Sequence, residues 1–127
     1  MDVFLKKKCM HSIDFYRAEF IDYLDSKFVV QEPANLYEPI NYILKLGGKR
    51  LRPVLALLTA EIFEGNYKEA LNAALAIEVF HNFSLVHDDI MDAAPVRRGM
   101  TTVHEKWDTN TGILSGDAML ICASHLF

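Results

Sequence analysis

A chain of 127 residues is long enough for one domain or for part of a larger one. Half of it is hydrophobic (51%) and a quarter charged (24%), a composition of folded proteins rather than disordered ones. Lys and Arg number 13 against 17 Asp and Glu, so the net charge of −4 argues against a dedicated nucleic-acid binder, and any basic cluster must be local and aimed at a small anion. The two cysteines, Cys9 and Cys122, are far apart and lack metal-type spacing, so a reducing cytoplasm is expected. Lys6 to Lys8 have no apolar block behind them, which speaks against a signal peptide. No stretch approaches the roughly 20 apolar residues of a membrane span, and a soluble protein is expected.

From about Met10 to Phe28, Ile13, Tyr16, Phe20, Tyr23 and Leu24 recur at helical spacing and predict an amphipathic helix. Pro33 marks a break. A second, short helix is predicted over Leu36 to Leu46, ending at Gly47-Gly48, because glycine readily takes the left-handed conformation past a helix end. A third begins with Pro53 in its first turn and runs through Val54 to Leu58 towards Phe63, with Gly65-Asn66 as the next turn. Tyr67 to about Asp92 contains four alanines and neither glycine nor proline, and is read as one long, largely buried helix. Pro95 and Gly99 interrupt the pattern, and Thr111-Gly112 opens a last apolar helix, Ile113 to Phe127, that reaches the end of the sequence without a stop signal. There is no repeat, no low-complexity tract and no strand-like alternation of useful length. The class is all-α, and residues 1–127 are expected to be the N-terminal portion of a single helical domain.

The long helix carries the first chemical signal. At about 100° per residue, His81, Ser84, Asp88 and Asp92 fall within a sector of roughly 80°, with Asp89 beside them. The other faces hold Val79, Phe80, Phe83, Val86 and Ile90. Carboxylates four apart repel one another, and unpaired carboxylates in an apolar helix are costly. Mg²⁺ compensates well, since it takes one or two protein carboxylates and completes its shell with water and substrate phosphates. The bland alternatives are a solvated acidic helix end for the aspartates and a hydrogen-bonded core position for His81.

Two basic clusters accompany the stripe. Gly47-Gly48-Lys49-Arg50-Leu51-Arg52-Pro53 puts three cations between a helix stop and a helix start. A helix N-terminus already favours a phosphate, Lys49 adds a point charge, and Arg52 adds a planar fork. The same residues could be an ordinary basic C-cap. Arg97-Arg98 lies five and six residues past Asp92 and suits a clamp on the same ligand. One carboxylate cluster and two basic clusters suggest two polyanions, one held through metal and one held directly. The chemistry implied is a Mg²⁺-dependent enzyme acting on diphosphates, with Mn²⁺ as the alternative ion.

Four stretches in order resemble the trans-isoprenyl diphosphate synthases, or polyprenyl synthetases, from about residue 37 onwards. They are Gly47 to Pro53; Ser84-Leu85-Val86-His87-Asp88-Asp89-Ile90-Met91-Asp92; Arg97-Arg98-Gly99 with Thr102 and His104; and Ile113-Leu114-Ser115-Gly116-Asp117. The resemblance implies an isoprenoid-synthase-type helical bundle, of which this is the N-terminal part, and a homodimer. It implies that Asp88 and Asp92, with Asp89 nearby, hold Mg²⁺ on an allylic prenyl diphosphate. Lys49, Arg52 and His81 would contact isopentenyl diphosphate, Arg97 the allylic diphosphate and Arg98 isopentenyl diphosphate. Asp88, Asp92 and Arg97 would then be the catalytic set, assisting departure of diphosphate so that the double bond of isopentenyl diphosphate attacks the allylic cation. The residues just before the Asp motif, Phe83 and Ser84, would limit product length to about geranylgeranyl, with farnesyl close behind. Ideal geometry sets Phe83 about 140° from Asp88, so a plain core role for it stays open.

Thr101 stands where the family usually has proline, and the second Asp-rich motif expected on a later helix is absent, so the sequence is expected to be a fragment. Three other readings compete. A regulatory or truncated synthase subunit would explain the missing motif. A metal-dependent phosphohydrolase using His87-Asp88 would leave both basic clusters unexplained. A terpene cyclase shares the Asp motif but has no use for Lys49 and Arg52.

Overall fold

The computed structural model describes residues 11–28 and 32–126. Met10 and Phe127, the expected outer limits of the first and last helices, lie outside the described residues, as do Cys9 and the lysines beside it.

Helix α1 (Ile13–Lys27) starts where the Ser12 side chain accepts the Phe15 N–H at 3.1 Å. Tyr16, Phe20 and Leu24, four apart, form its buried face. Helix α2 (Ala34–Lys45) buries Pro39, Ile40, Ile43 and Leu44. Gly47 and Gly48 follow with φ of 88° and 116°, backbone conformations that side chains rarely tolerate. Helix α3 (Leu51–Glu64) begins two residues ahead of Pro53, which therefore still sits in the first turn, where an N–H has no helical partner. It closes on Gly65, φ 80°, whose N–H reaches the carbonyls of Ala60 and Glu61.

The segment expected as one helix from Tyr67 is divided. Residues Tyr67–Ala70 form a 3₁₀ turn, and helix α4 (Leu71–Met91) follows directly. The tight turn is held from both sides: Asn66 accepts the Lys68 N–H at 3.1 Å, and Glu61 accepts the Tyr67 N–H at 2.9 Å. After Asp92 the chain reverses through Ala93, φ 51°, with the Ala94 N–H bonded back to the Asp89 carbonyl at 2.9 Å. A small antiparallel hairpin follows, β1 (Val96–Arg97) paired with β2 (Met100–Thr101). Its two turn residues, Arg98 and Gly99, both have positive φ, the twist that suits a two-residue hairpin loop. The sequence reading contained no strand here, because two-residue strands leave no alternation to detect.

A single-turn helix α5 (Val103–Lys106) leads into α6 (Thr109–Leu126). The last helix thus opens four residues earlier than expected, and Gly112 lies inside it rather than in a turn. Asp108 accounts for the shift, accepting the Thr111 N–H on its side chain at 2.7 Å and the Gly112 N–H on its carbonyl at 3.0 Å. Apart from the hairpin, the regular structure among the described residues is all helical, in keeping with the all-α reading.

Helices α1, α2, α3 and α4 share a core of Tyr16, Phe20, Leu24, Ile40, Ile43, Leu44, Val54, Leu57, Leu75 and Val79, which Met119 and Ala123 of α6 join. Helix α6 packs on α4 through small residues, with Gly112, Ser115, Gly116 and Ala123 buried. A Cβ on Gly112 would come within 3.0 Å of the Ile90 Cδ1, and one on Gly116 within 2.5 Å of the His87 Nε2. Gly116 is therefore the notch in which the His87 ring sits. Gly116→Ala should displace that ring, and a double-mutant cycle with His87→Ala, read by thermal unfolding, should give a coupling of about 1 kcal/mol. Additive effects would show that the notch does not hold the ring.

Candidate active site

The Gly-Gly-Lys-Arg loop becomes one wall of a cavity of about 240 Å³ lined by Lys49, Arg50, Leu51, Arg52, Glu78, His81 and Arg98. Three elements meet there: the N-terminal end of α3, the middle of α4 and the hairpin turn. The first N–H groups of α3 are unpaired within the helix and favour an anion. Arg52 approaches His81, with Nη1 3.3 Å from the imidazole Nε2. Burial lowers the His81 pKa below the ordinary histidine value, and the Arg52 charge lowers it further. Arg98 lies over Gly48, where an added Cβ would fall 3.1 Å from the guanidinium carbon, and its Nη1 donates to the Gly47 carbonyl at 2.5 Å. The second glycine is thus where hairpin and loop touch. Desolvation and the nearby Arg50 charge lower the Arg98 pKa from its usual high value. The loop is pinned from the far side by Arg17, whose Nε donates to the Lys49 carbonyl at 3.0 Å.

One of the three loop cations behaves differently from the sequence reading. Arg50 is only 6% exposed and turns inward. Its Nη1 donates to the Glu78 carboxylate at 2.8 Å and its Nη2 to the Leu44 carbonyl. Its φ of 52° makes this reversal, so Lys49 and Arg52 stand exposed on either side of a buried neighbour. Nothing in the local pattern distinguishes Arg50 from the other two. The available signal was Glu78, an acid on the apolar stretch of α4 with no helical charge partner.

At the C-terminal end of α4, Asp88 and Asp92 are exposed, one turn apart, while Asp89 is 4% exposed. The Ala93 turn and the hairpin carry Arg97 back onto Asp89 in a two-point pair, Nε to Oδ2 at 2.8 Å and Nη2 to Oδ1 at 2.9 Å. The hydrogen bond to Asp89 raises the Arg97 pKa, with a further contribution from the charge of Asp88. Asp89, expected as a third metal ligand, thus gives both oxygens to Arg97, and Arg97 keeps Nη1 outside the pair. Thr102 locks the loop beneath, fully buried, its hydroxyl on the Ala94 carbonyl at 2.8 Å.

Among the described residues no group of three or more His, Cys, Asp and Glu side chains converges on a point. The donor set at this end is the two carboxylates of Asp88 and Asp92. Hard oxygen ligands in that number fit Mg²⁺, which fills the rest of its octahedron with water and phosphate oxygens. They do not fit a cage of protein ligands alone.

Beside the basic cavity, and sharing Arg52 and His81 with it, lies a larger one of about 550 Å³. Ile77, Phe80, Leu120 and Ala123 give it apolar walls, and Ser84 lines it as well. Ser84 therefore faces this space, whereas Phe83 packs towards the core and against His87, ring centres 4.8 Å apart. Phe80, which the sequence reading left on the apolar face, is half exposed and lines the cavity instead. His87 is seated on α6, with Nε2 3.6 Å from the Asp117 carboxylate and 3.4 Å from the Ile113 carbonyl.

Comparison with known proteins gives the family and the fold. The polyprenyl synthetase family pattern matches residues 33–127. A geranylgeranyl pyrophosphate synthase of Geoglobus acetivorans is 54% identical over 89 residues, 70% of this chain and 28% of its own length. A geranylgeranyl diphosphate synthase of Methanosarcina mazei is 46% identical over 96 residues, 76% of this chain and 30% of its own. A crystal structure of a geranylgeranyl pyrophosphate synthase superposes with a TM-score of 0.90 at 60% identity, covering 92% of this chain and 36% of the other. The all-α bundle is thus the N-terminal part of an isoprenoid-synthase fold, and the chain belongs to the polyprenyl synthetase family. It spans under a third of the length of those two curated relatives.

The His81 environment can be checked directly. In NMR titration His81 should lose its proton below the ordinary pKa of 6.5, and Arg52→Ala should move that point upward by removing a neighbouring positive charge, burial remaining. Inorganic diphosphate should also move it upward, because an anion favours the imidazolium. A pKa at or above 6.5 that ignores both changes would contradict the described geometry.

Proposed function

We propose that the complete gene product condenses isopentenyl diphosphate with an allylic prenyl diphosphate, giving a longer trans-polyprenyl diphosphate and inorganic diphosphate. The observation that carries this is the convergence of Lys49, Arg52, His81 and Arg98 on one small cavity beside an apolar one. Three cations not engaged with a carboxylate suit a diphosphate held without metal. The apolar walls suit a hydrocarbon.

Asp88 and Asp92 would hold Mg²⁺, which when bound supplies positive charge to the diphosphate of the allylic substrate. Arg97, oriented by Asp89, presents its remaining edge to the same group. On this reading Asp89 positions Arg97 and the metal ligands are Asp88 and Asp92. The allylic C–O bond breaks as charge builds on the departing diphosphate, and preorganised cations stabilise that charge. The double bond of isopentenyl diphosphate, anchored by Lys49, Arg52, His81 and Arg98, attacks the allylic carbon. Loss of a proton restores a double bond. Apolar walls keep water from the cation.

Ser84 and Phe80 border the space available to the growing chain, with Phe83 behind them, and the small Ser84 favours a product near geranylgeranyl length. The exposed apolar residues Leu114 and Ile121 of α6, each 59% exposed, support a homodimer with a second copy covering this face. A dimer mass by light scattering is expected, with Ile121→Glu shifting it towards monomer. No helix among the described residues is long and apolar enough to cross a membrane.

The deciding assay incubates the complete gene product with both diphosphates, with and without Mg²⁺, and chromatographs the products. A Mg²⁺-dependent longer prenyl diphosphate is expected, lost by a factor of at least about 10² in Asp88→Asn and shortened in Ser84→Phe. No elongation, with the diphosphates intact or merely hydrolysed, would sink the synthase reading in favour of a regulatory subunit or a hydrolase.

A further inference from the structure

We propose that the buried pair of Arg50 and Glu78 is a positioning device for the basic cavity, setting Lys49 and Arg52 relative to His81. The inference rests on reading that cavity as the site of the diphosphate held without metal.

Arg50 lies between the two exposed cations of the loop, yet its side chain and that of Glu78 are each 4% exposed. Its guanidinium bridges two elements at once, donating from Nη1 to Glu78 on α4 at 2.8 Å and from Nη2 to the carbonyl of Leu44 at the end of α2. The left-handed backbone at Arg50, φ 52°, allows one side chain to go inward while its neighbours stay outside. One turn further along α4, the fully buried Asn82 donates from Nδ2 to the main-chain carbonyl of Glu78 at 2.8 Å, a bond within the helix. His81 is three residues further along the same helix, on the neighbouring turn face. One planar fork therefore ties together the end of α2, the start of α3 and the part of α4 that bears His81.

Both members of the pair line the cavity, but their charges cancel, so the pair adds little net attraction for an anion. Direct binding by Arg50 would require its fork to leave Glu78, stranding a buried carboxylate beside the incoming diphosphate, which would repel it. What the pair supplies is placement. A buried ion pair is weak as a source of stability and better suited to specifying one arrangement. Lysine cannot reproduce it, because an ammonium lacks the planar fork that reaches both acceptors in fixed geometry. The Glu78 charge also acts on the cavity residues themselves, opposing the lowering of the His81 and Arg98 pKa values.

The test is steady-state kinetics of the complete gene product, varying each diphosphate in turn, on Glu78→Gln, Arg50→Lys and the apolar double replacement Arg50→Met with Glu78→Leu, with Lys49→Ala as reference. The KM for isopentenyl diphosphate should rise about 10- to 100-fold in each pair variant. The KM for the allylic substrate and kcat should change by less than about threefold. The apolar double replacement should recover thermal stability relative to the single variants without recovering that KM. Equal loss towards both substrates, or a KM that returns to normal together with stability, would show a merely structural pair and overturn the inference. If the double replacement fails to fold, the same comparison of the two KM values in Glu78→Gln and Arg50→Lys decides. Lys49→Ala separates the two levels of the argument: an unchanged KM there removes the diphosphate reading of the cavity, whereas a raised KM there with unaffected pair variants removes only the positioning role.

Discussion

Helix α4 has to be buried along most of its length and still keep one line of side chains in contact with solvent. Ala74, Leu75, Ala76, Val79 and Val86 satisfy the first demand. Helix α6 meets it from outside with glycine, serine and alanine, residues small enough for the two backbones to approach closely. The notch at Gly116 and the near contact of Gly112 with Ile90 leave no room for an added methyl group without movement. A helix clamped in this way cannot rotate, so His81, Ser84, Asp88 and Asp92 keep a constant order along one wall. The loop before α3 and the hairpin bring the basic groups to that wall.

Those turns demand backbone conformations that most residues avoid. Arg50, Ala93 and Arg98 all have positive φ without being glycine. Each stands where the chain must reverse within one or two residues to bring a guanidinium to its partner. Arg50 turns its own side chain under the loop. Ala93 starts the reversal that returns Arg97 to Asp89. Arg98, with Gly99, closes the hairpin and places its guanidinium against Gly48. Strain of this kind persists only where surrounding contacts over-determine the geometry, and here each position is followed by a side chain held in hydrogen bonds.

Charge in the site is arranged as much by pairing as by placement. Arg50 and Glu78 neutralise one another, and so do Arg97 and Asp89, each through hydrogen bonds in low exposure. Lys49, Arg52 and Arg98 remain as cations on one side, with Asp88 and Asp92 as carboxylates on the other. The pairs hold the frame, with Arg97 keeping one edge outside its pair, while the other charged groups have no carboxylate or guanidinium partner among the described residues. This separation gives an acidic end suited to a cation and a basic cavity suited to an anion, within a protein whose net charge is only −4.

Much of this was legible in the residues alone. Helical spacing of Tyr16, Phe20 and Leu24, the stop at Gly65 and the acidic stripe on α4 are properties of neighbours a few positions apart, where 3.6-residue periodicity and glycine's freedom decide the outcome. The four motifs in order also identified the family. The direction of Arg50 was not legible, because it depends on Glu78, 28 residues away, and on a left-handed turn that its residue type does not announce. Asp89 and Asp88 look alike in sequence, yet one is buried against Arg97 and the other exposed, a difference made by the hairpin that folds back after Ala93. Sequence by itself determined where the main helices fall, though not all of their ends, and which chemical groups are present. Tertiary structure decided which of those charges cancel and which stay free, because the partner of a buried charge is set by packing between elements that are distant along the chain.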